Sequence, residues 1–351
     1  MQSSRRIAWV DYAKGLAIIG VFILHSNAPE NVIHAIDTFC MPLFFLLSGF
    51  VFSIRKYPSF RPFLWNKLRT LIIPGIFFAV VPFAIERVIG IISGNIWAVK
   101  AYAEWFLGLA VNLRGHEGFG SIPWFLVCLF VVEIGGYILL RFSERFALSE
   151  WTFVGVGIAS ILIGYLYSTF IHIVLPWEAD IALSMFGYFI FGYVVRGHHD
   201  VLERAMHPAT AIVAAALLIT ATMLNTQQPV NVYMNTYGNI GYYLIGAVCG
   251  MWAIIAICIG LGRIHAAPLS AITYCGRNTL VFYCVNAPIY GSLIPLILRW
   301  IGLDTNGGSI TNQLLCMLGA IIINLIICSA VAEIVNRWLP GVLGQPKPRR
   351  S

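Results

Sequence analysis

Long apolar runs, separated by short polar and often basic clusters, set the pattern of this chain. A helix that crosses a bilayer needs about 20 mostly apolar residues. Ten stretches meet or nearly meet that length: 7–26, 36–54, 70–92, 121–140, 151–170, 180–195, 208–224, 240–261, 279–298 and 312–334. They predict an all-α polytopic membrane protein with about ten transmembrane helices. Arg5 and Arg6 precede the first run, as in a signal peptide, but Asp11 and Lys14 interrupt it and no clean small-x-small cleavage site follows. It therefore reads as a retained first helix. The longest segment outside the runs, 93–120, carries Trp97, Tyr102, Trp105 and Phe106 before Arg114, which predicts an interfacial or re-entrant helix on the outer side. No internal repeat is visible and no soluble domain is expected. Residues 1–340 form one integral membrane domain in this reading, and 341–351 a basic cytoplasmic tail.

Composition agrees and narrows the function classes. Of the 351 residues, 59% are hydrophobic and only 11% charged, against about 25% charged in a typical soluble domain. Mean hydropathy is +0.82. A water-soluble enzyme, a nucleic-acid-binding protein and a disordered chain are all excluded. The net charge of +7 comes from 22 Lys and Arg against 15 Asp and Glu. Placing the basic stretch Arg55, Lys56, Arg61, Lys67 and Arg69 in the cytoplasm puts eighteen of the 22 on the inner side, with both termini there. Arg87, Lys100, Arg114 and Arg299 are the exceptions. The positive charge thus predicts orientation rather than a polyanionic partner. Eight cysteines lie mostly inside apolar runs, with no CxxC pair and no zinc-like spacing, so neither a disulfide framework nor a metal site is expected.

Polar residues inside the runs each need a reason, because a charge in hydrocarbon costs several kcal/mol. The first run holds Asp11, Lys14 and His25. Eleven helical positions are just over three turns, so Lys14 and His25 share a face about 16 Å apart. Lys14 either snorkels and pairs with Asp11 or serves a ligand, and His25 either caps the span or acts chemically. Ser48 and Gly49, after Met41-Pro42, suit close helix packing. Lys67 and Arg69, ahead of Pro74, are explained by topology alone or by an anion. Asn278 suits a helix N-cap, whereas Asn286 lies well inside its run and needs a hydrogen-bonding partner.

Taken in order, these elements resemble the membrane-bound acyltransferase 3 family, and within it the fucose 4-O-acetylase-like group. The most specific likeness is a basic residue, a ten-residue gap and a histidine, met here by Lys14 and His25 within the segment that opens Ile7 to Gly15. Met41-Pro42 to Ser48-Gly49 resembles the second-helix pattern, and Lys67, Arg69 and Pro74 match the basic start of the third. Trp124-Phe125-Leu126 resembles the tryptophan-containing patch that opens the fourth, and Gly187 to Arg196 the glycine-containing sixth. Cys40 and Asn286 stand where many relatives carry histidine.

The resemblance implies transfer of an acyl group, most often acetyl, from cytoplasmic acyl-coenzyme A to a hydroxyl of a glycan or lipid-linked saccharide at the bacterial inner membrane. The coenzyme is a donor substrate, and no permanently bound cofactor or nucleic acid is implied. His25 is then the general base or a transient acyl acceptor, and Lys14, Lys67 and Arg69 hold the coenzyme's phosphates. Asn278 and Asn286 steady the carbonyl or the acceptor, with Asp11, Ser48 and Trp124 as substrate or structural candidates. The loop 225–239, with Asn231, Tyr233, Asn235 and Tyr237, offers polar groups and rings to a sugar. A secondary transporter or flippase is the rival from another class, since buried polar residues in many spans suit it too. A non-catalytic scaffold gives no reason for the order of Lys14, His25, Lys67 and Arg69.

Overall fold

A computed structural model describes residues 7–95, 97–263, 268–305 and 307–345. Arg5, Arg6, His265, Lys347, Arg349 and Arg350 lie outside the described residues. The chain is 77% helical, with no strand among the described residues. The helices are α1 (Ala8–Leu24), α2 (Glu30–Val51), α3 (Phe60–Lys67), α4 (Ile73–Ile92), α5 (Val99–Val111), α6 (Trp124–Phe146) and α7 (Glu150–Phe170). They are followed by α8 (Ala179–Gly197), α9 (His199–Ala205), α10 (Pro208–Leu224), α11 (Ile240–Leu261), α12 (Pro268–Arg277), α13 (Thr279–Trp300) and α14 (Ile310–Trp338).

Every predicted run carries a helix, but not every helix reaches spanning length. Among the described residues eight are long and apolar enough, or nine if the bent pair of α9 and α10 forms one span. The shortfall from ten lies at α1 and, unless it joins α9, at α10, each of 17 residues and so only about 26 Å long. Three helices go beyond the apolar pattern. The short α3, α9 and α12 are too brief and too polar to register as runs. The segment 93–120 does contain a helix, α5.

The chain forms two compact units. The first comprises Met1–Val51 with Phe191–Ala332. Here helices meet backbone to backbone at glycines, as expected where lipid tails give no hydrophobic drive for association. A Cβ on Gly15 would strike the Ile272 carbonyl of α12, and one on Gly276 would strike the Asp11 carbonyl of α1. Gly250 of α11 instead makes room for a side chain, the Phe39 ring of α2, which a Cβ would meet at 2.5 Å. Gly192 faces the Leu46 carbonyl, so the tight approach near Ser48 is made by a glycine of α8.

The second unit comprises Phe52–Ile190 with Glu333–Ser351. Its α3 and α4 form one 33-residue helix, Phe60–Ile92, interrupted by a π turn over Leu68–Ile72. There the Ile73 amide donates to the Leu68 carbonyl, five residues back. The widened turn directly precedes Pro74, which has no N–H to give to the Thr70 carbonyl. The segment after α5 is pinned by charge. Arg114 donates to Glu178 at 2.7 Å and also bonds Asp180, all three being buried. Burial opposes the Arg114 charge, but the two carboxylates more than offset it, so the guanidinium titrates above its usual range.

Candidate active site

In the first unit, α1 and α12 carry the polar groups that the sequence singles out at their ends. Asp11 is buried, and its Oδ2 accepts from Arg277 Nε at 3.4 Å. The Gly276 contact on the Asp11 carbonyl brings Arg277 within that reach. The first-helix and ninth-run motifs are therefore one assembly. Lys14 is half-buried one turn further along α1. Asn278 sits at the N-cap position of α13, but its side chain does not cap that helix. Its Nδ2 instead donates to the Tyr274 carbonyl at 3.0 Å, satisfying the last turn of α12.

His25 is the C-cap of α1, half-buried, immediately after Leu24. Its Nδ1 lies 2.9 Å from the Val21 carbonyl. A carbonyl oxygen only accepts, so Nδ1 carries the hydrogen and the neutral ring keeps its lone pair at Nε2. The main chain thus selects the tautomer in which Nε2 is the basic atom.

Two ring contacts align α13 beside this end of α1. Phe22 stacks with Phe282 at 6.1 Å, and the His25 ring meets the edge of Tyr290 at 6.0 Å. Both pairs ascend in sequence together, so the two helices run parallel. Asn286 falls one helical turn from Phe282 and one from Tyr290, hence on the same face of α13, turned to the last turn of α1. It is 1% exposed, and neither its Nδ2 nor its Oδ1 has a hydrogen-bond partner. An unsatisfied buried polar group costs about 1–3 kcal/mol. The protein therefore carries this amide at a cost, beside a histidine with a directed lone pair. Asn27, two residues past His25, also holds a buried Nδ2 without a hydrogen-bond partner. Cys40 donates its thiol to the Ala17 carbonyl at 3.3 Å and packs by Gly20. It ties α2 to α1 at a place where an imidazole would need more room.

The basic residues of the third run belong to the second unit and differ from each other. Lys67 Nζ lies 2.9 Å from Glu133 Oε1, with both side chains largely buried. The rings of Phe52 and Phe63 lie 5.5 and 5.6 Å from the ammonium. Its charge is thus balanced within the protein. Arg69, inside the π turn, is exposed. Such turns are frequent at functional sites. Trp124 is the first residue of α6 and half-buried against Phe125.

Several residues of this arrangement escape the sequence reading. Arg277 stands in the sequence as an inner-side charge within the segment Gly276-Arg277-Asn278, with nothing to tie it to Asp11, and Tyr290 and Asn27 carry no sequence signal. Glu133 did carry one, as a lone carboxylate in an apolar run. The loop 225–239 differs from expectation. The Tyr237 hydroxyl donates to Asn235 Oδ1 at 2.9 Å, and both residues are buried. Asn231 Oδ1 accepts from the Met234 amide at 2.9 Å. These polar groups close the loop on itself and leave less for a sugar.

Among the described residues no cluster of His, Cys, Asp or Glu is arranged to hold a metal ion. No protein of curated function and no solved structure matches the chain. A family sequence model does, described as an acyltransferase domain and matching residues 7–333. That span takes in α1, the π turn and nearly all of α14, and so covers every residue placed above. With its apolar helices, its directed histidine and this match over almost its whole length, the chain belongs to the acyltransferase 3 family of multi-pass membrane acyltransferases.

Proposed function

We propose that the protein transfers an acetyl group from acetyl-coenzyme A to a hydroxyl of a glycan or lipid-linked saccharide, with His25 as general base. The observation that carries this reading is the Nδ1–H bond to the Val21 carbonyl, which leaves Nε2 as a proton acceptor in a mostly apolar setting. A sugar hydroxyl is a poor nucleophile while protonated. In the reaction its oxygen attacks the thioester carbonyl carbon as its proton moves to Nε2. The carbon–sulfur bond then breaks, and the imidazolium returns the proton to the coenzyme thiolate. The products are an O-acetyl ester and free coenzyme A. Negative charge develops on the carbonyl oxygen, and the amide N–H groups of Asn286 and Asn27 are suited to stabilise it.

The coenzyme's phosphates require cations at the membrane surface. Arg69, exposed on the π turn of the second unit, is one candidate for this task, and Lys14 of the first unit is a separate one. Lys67 contributes through its ion pair with Glu133 beside that turn. The distribution of basic residues supports a cytoplasmic face for these groups, and hence inner-membrane placement.

The test is release of free thiol from acetyl-coenzyme A by membranes containing the protein, with saccharide acceptors present, compared with His25→Ala membranes of equal protein content. Thiol release that depends on His25, together with an acetyl mass increment on the acceptor, is the expected result. Equal release from the variant refutes the role of His25. Movement of an unmodified solute without thiol release would replace the reaction by transport.

A further inference from the structure

Arg87 stands apart from all of this chemistry. It lies on α4 in the second unit, is 9% exposed, and bonds the neighbouring Glu86, itself largely in solvent. Its Nε and Nη1 have no hydrogen-bond partner although they are buried. A cation in an apolar segment normally has its donors satisfied, so three N–H hydrogens left over are a feature that topology does not explain. Two rings lie against the guanidinium, and two more pack on those. The guanidinium carbon is 3.9 Å from the centroid of Trp97 and 5.8 Å from that of Phe83, one turn earlier on α4. Phe83 in turn stacks on Trp105 at 3.7 Å, and Tyr102 lies 5.7 Å from Trp97. Trp97 and Tyr102 are half-buried, whereas Trp105 is covered by the Phe83 ring and by Gly120 packed against its ring-fusion atoms.

We infer that Arg87 and the rings of Trp97 and Tyr102 form a binding site for an acidic sugar residue, one that carries a carboxylate or phosphate on its ring. The unsatisfied guanidinium donors match anionic oxygens, and half-buried indole and phenol rings match the apolar C–H face of a pyranose. A belt of aromatic residues at a membrane surface is ordinary. It requires no buried guanidinium with free donors, and a lipid phosphate requires no cluster of ring faces. The inference rests on the glycan reading above and sharpens it: the acceptor is an anionic saccharide.

Binding is measured apart from turnover, on the His25→Asn protein in phosphatidylcholine nanodiscs, by tryptophan emission during titration with sodium glucuronate and, separately, glucose. A saturable change with glucuronate and none with glucose is expected. Arg87→Gln should weaken it about tenfold or more, as loss of a charge-assisted hydrogen bond requires, and Arg87→Lys should restore part of it. Trp97→Phe should shrink the signal while glucuronate still competes with a bound glucuronide in an NMR saturation-transfer experiment. No response to glucuronate by either method, an equal response in Arg87→Gln, or a response only when phosphatidylglycerol replaces phosphatidylcholine overturns the assignment. Thiol release by the wild-type protein, measured in parallel, reports on the acyl-transfer reading alone, so the two can fail separately.

Discussion

Replacing His25 with Asn separates the two jobs that the imidazole performs. Asn offers an amide N–H close to the position of Nδ1, so the bond to the Val21 carbonyl, 2.9 Å in the native protein, can persist. It offers nothing basic where Nε2 stood. A positioned general base contributes about 10²–10⁴ in rate, which is about 2.7–5.4 kcal/mol of barrier at roughly 1.36 kcal/mol per decade. The structural loss is smaller. The retained hydrogen bond is worth about 1 kcal/mol, and the edge contact with Tyr290 about 0.5–1.5 kcal/mol. His25→Asn should therefore unfold within a few degrees of the wild type yet lose nearly all acetyl-coenzyme A-dependent transfer. The paired measurements are thermal unfolding in detergent and initial rate of thiol release on the same preparation. A stable variant that keeps most of the wild-type rate would show that the Val21 bond is the whole role of His25, and the mechanism would fall.

The remaining predictions concern the groups around it. Asn286→Leu removes an amide that is buried without partners and should raise unfolding stability by about 1–3 kcal/mol while lowering transfer; a variant that loses stability contradicts the orphan geometry. Lys67→Met leaves Glu133 without its ion-pair partner and should cost about 3–5 kcal/mol, whereas adding Glu133→Leu should recover most of it. If the double variant folds but coenzyme affinity has collapsed, Lys67 binds the donor directly. Gly276→Ala drives a methyl into the Asp11 carbonyl and should destabilise by about 1–3 kcal/mol. Gly291→Ala, with open space around it, should be neutral or stabilising by up to about 1 kcal/mol, and equal effects of the two would remove the case for backbone contact between α1 and α12.

Apolar runs made the helices legible because a bilayer forces each spanning segment to satisfy its backbone within itself, and only a helix of sufficient length does so. That is why 208–224 and 240–261 coincide with α10 and α11. The same reasoning blurred the ends. The third apolar run begins at residue 70, yet the helix starts at Phe60, because amphiphilic turns outside hydrocarbon carry little hydropathy signal. It also made Lys67 and Arg69 look equivalent. They differ because Glu133, 66 residues away, neutralises only one of them, and no spacing rule along α3 and its π turn reveals that.

The order of Lys14 and His25, Met41-Pro42, and Lys67 and Arg69 is a property of the sequence and sufficed for the family, as the apolar runs sufficed for the all-helical class. Which nitrogen of His25 is basic was decided only by folding, since the hydrogen bond that selects the tautomer runs to a carbonyl placed by helix geometry. Folding also joined Asp11 to Arg277 across 266 residues and left the amide of Asn286 without a partner beside α1. Composition and period report what a segment needs from its solvent. Pairing depends on which segments meet, and in a membrane that is set by the close fit of particular glycines and side chains, which leaves almost no trace in hydropathy.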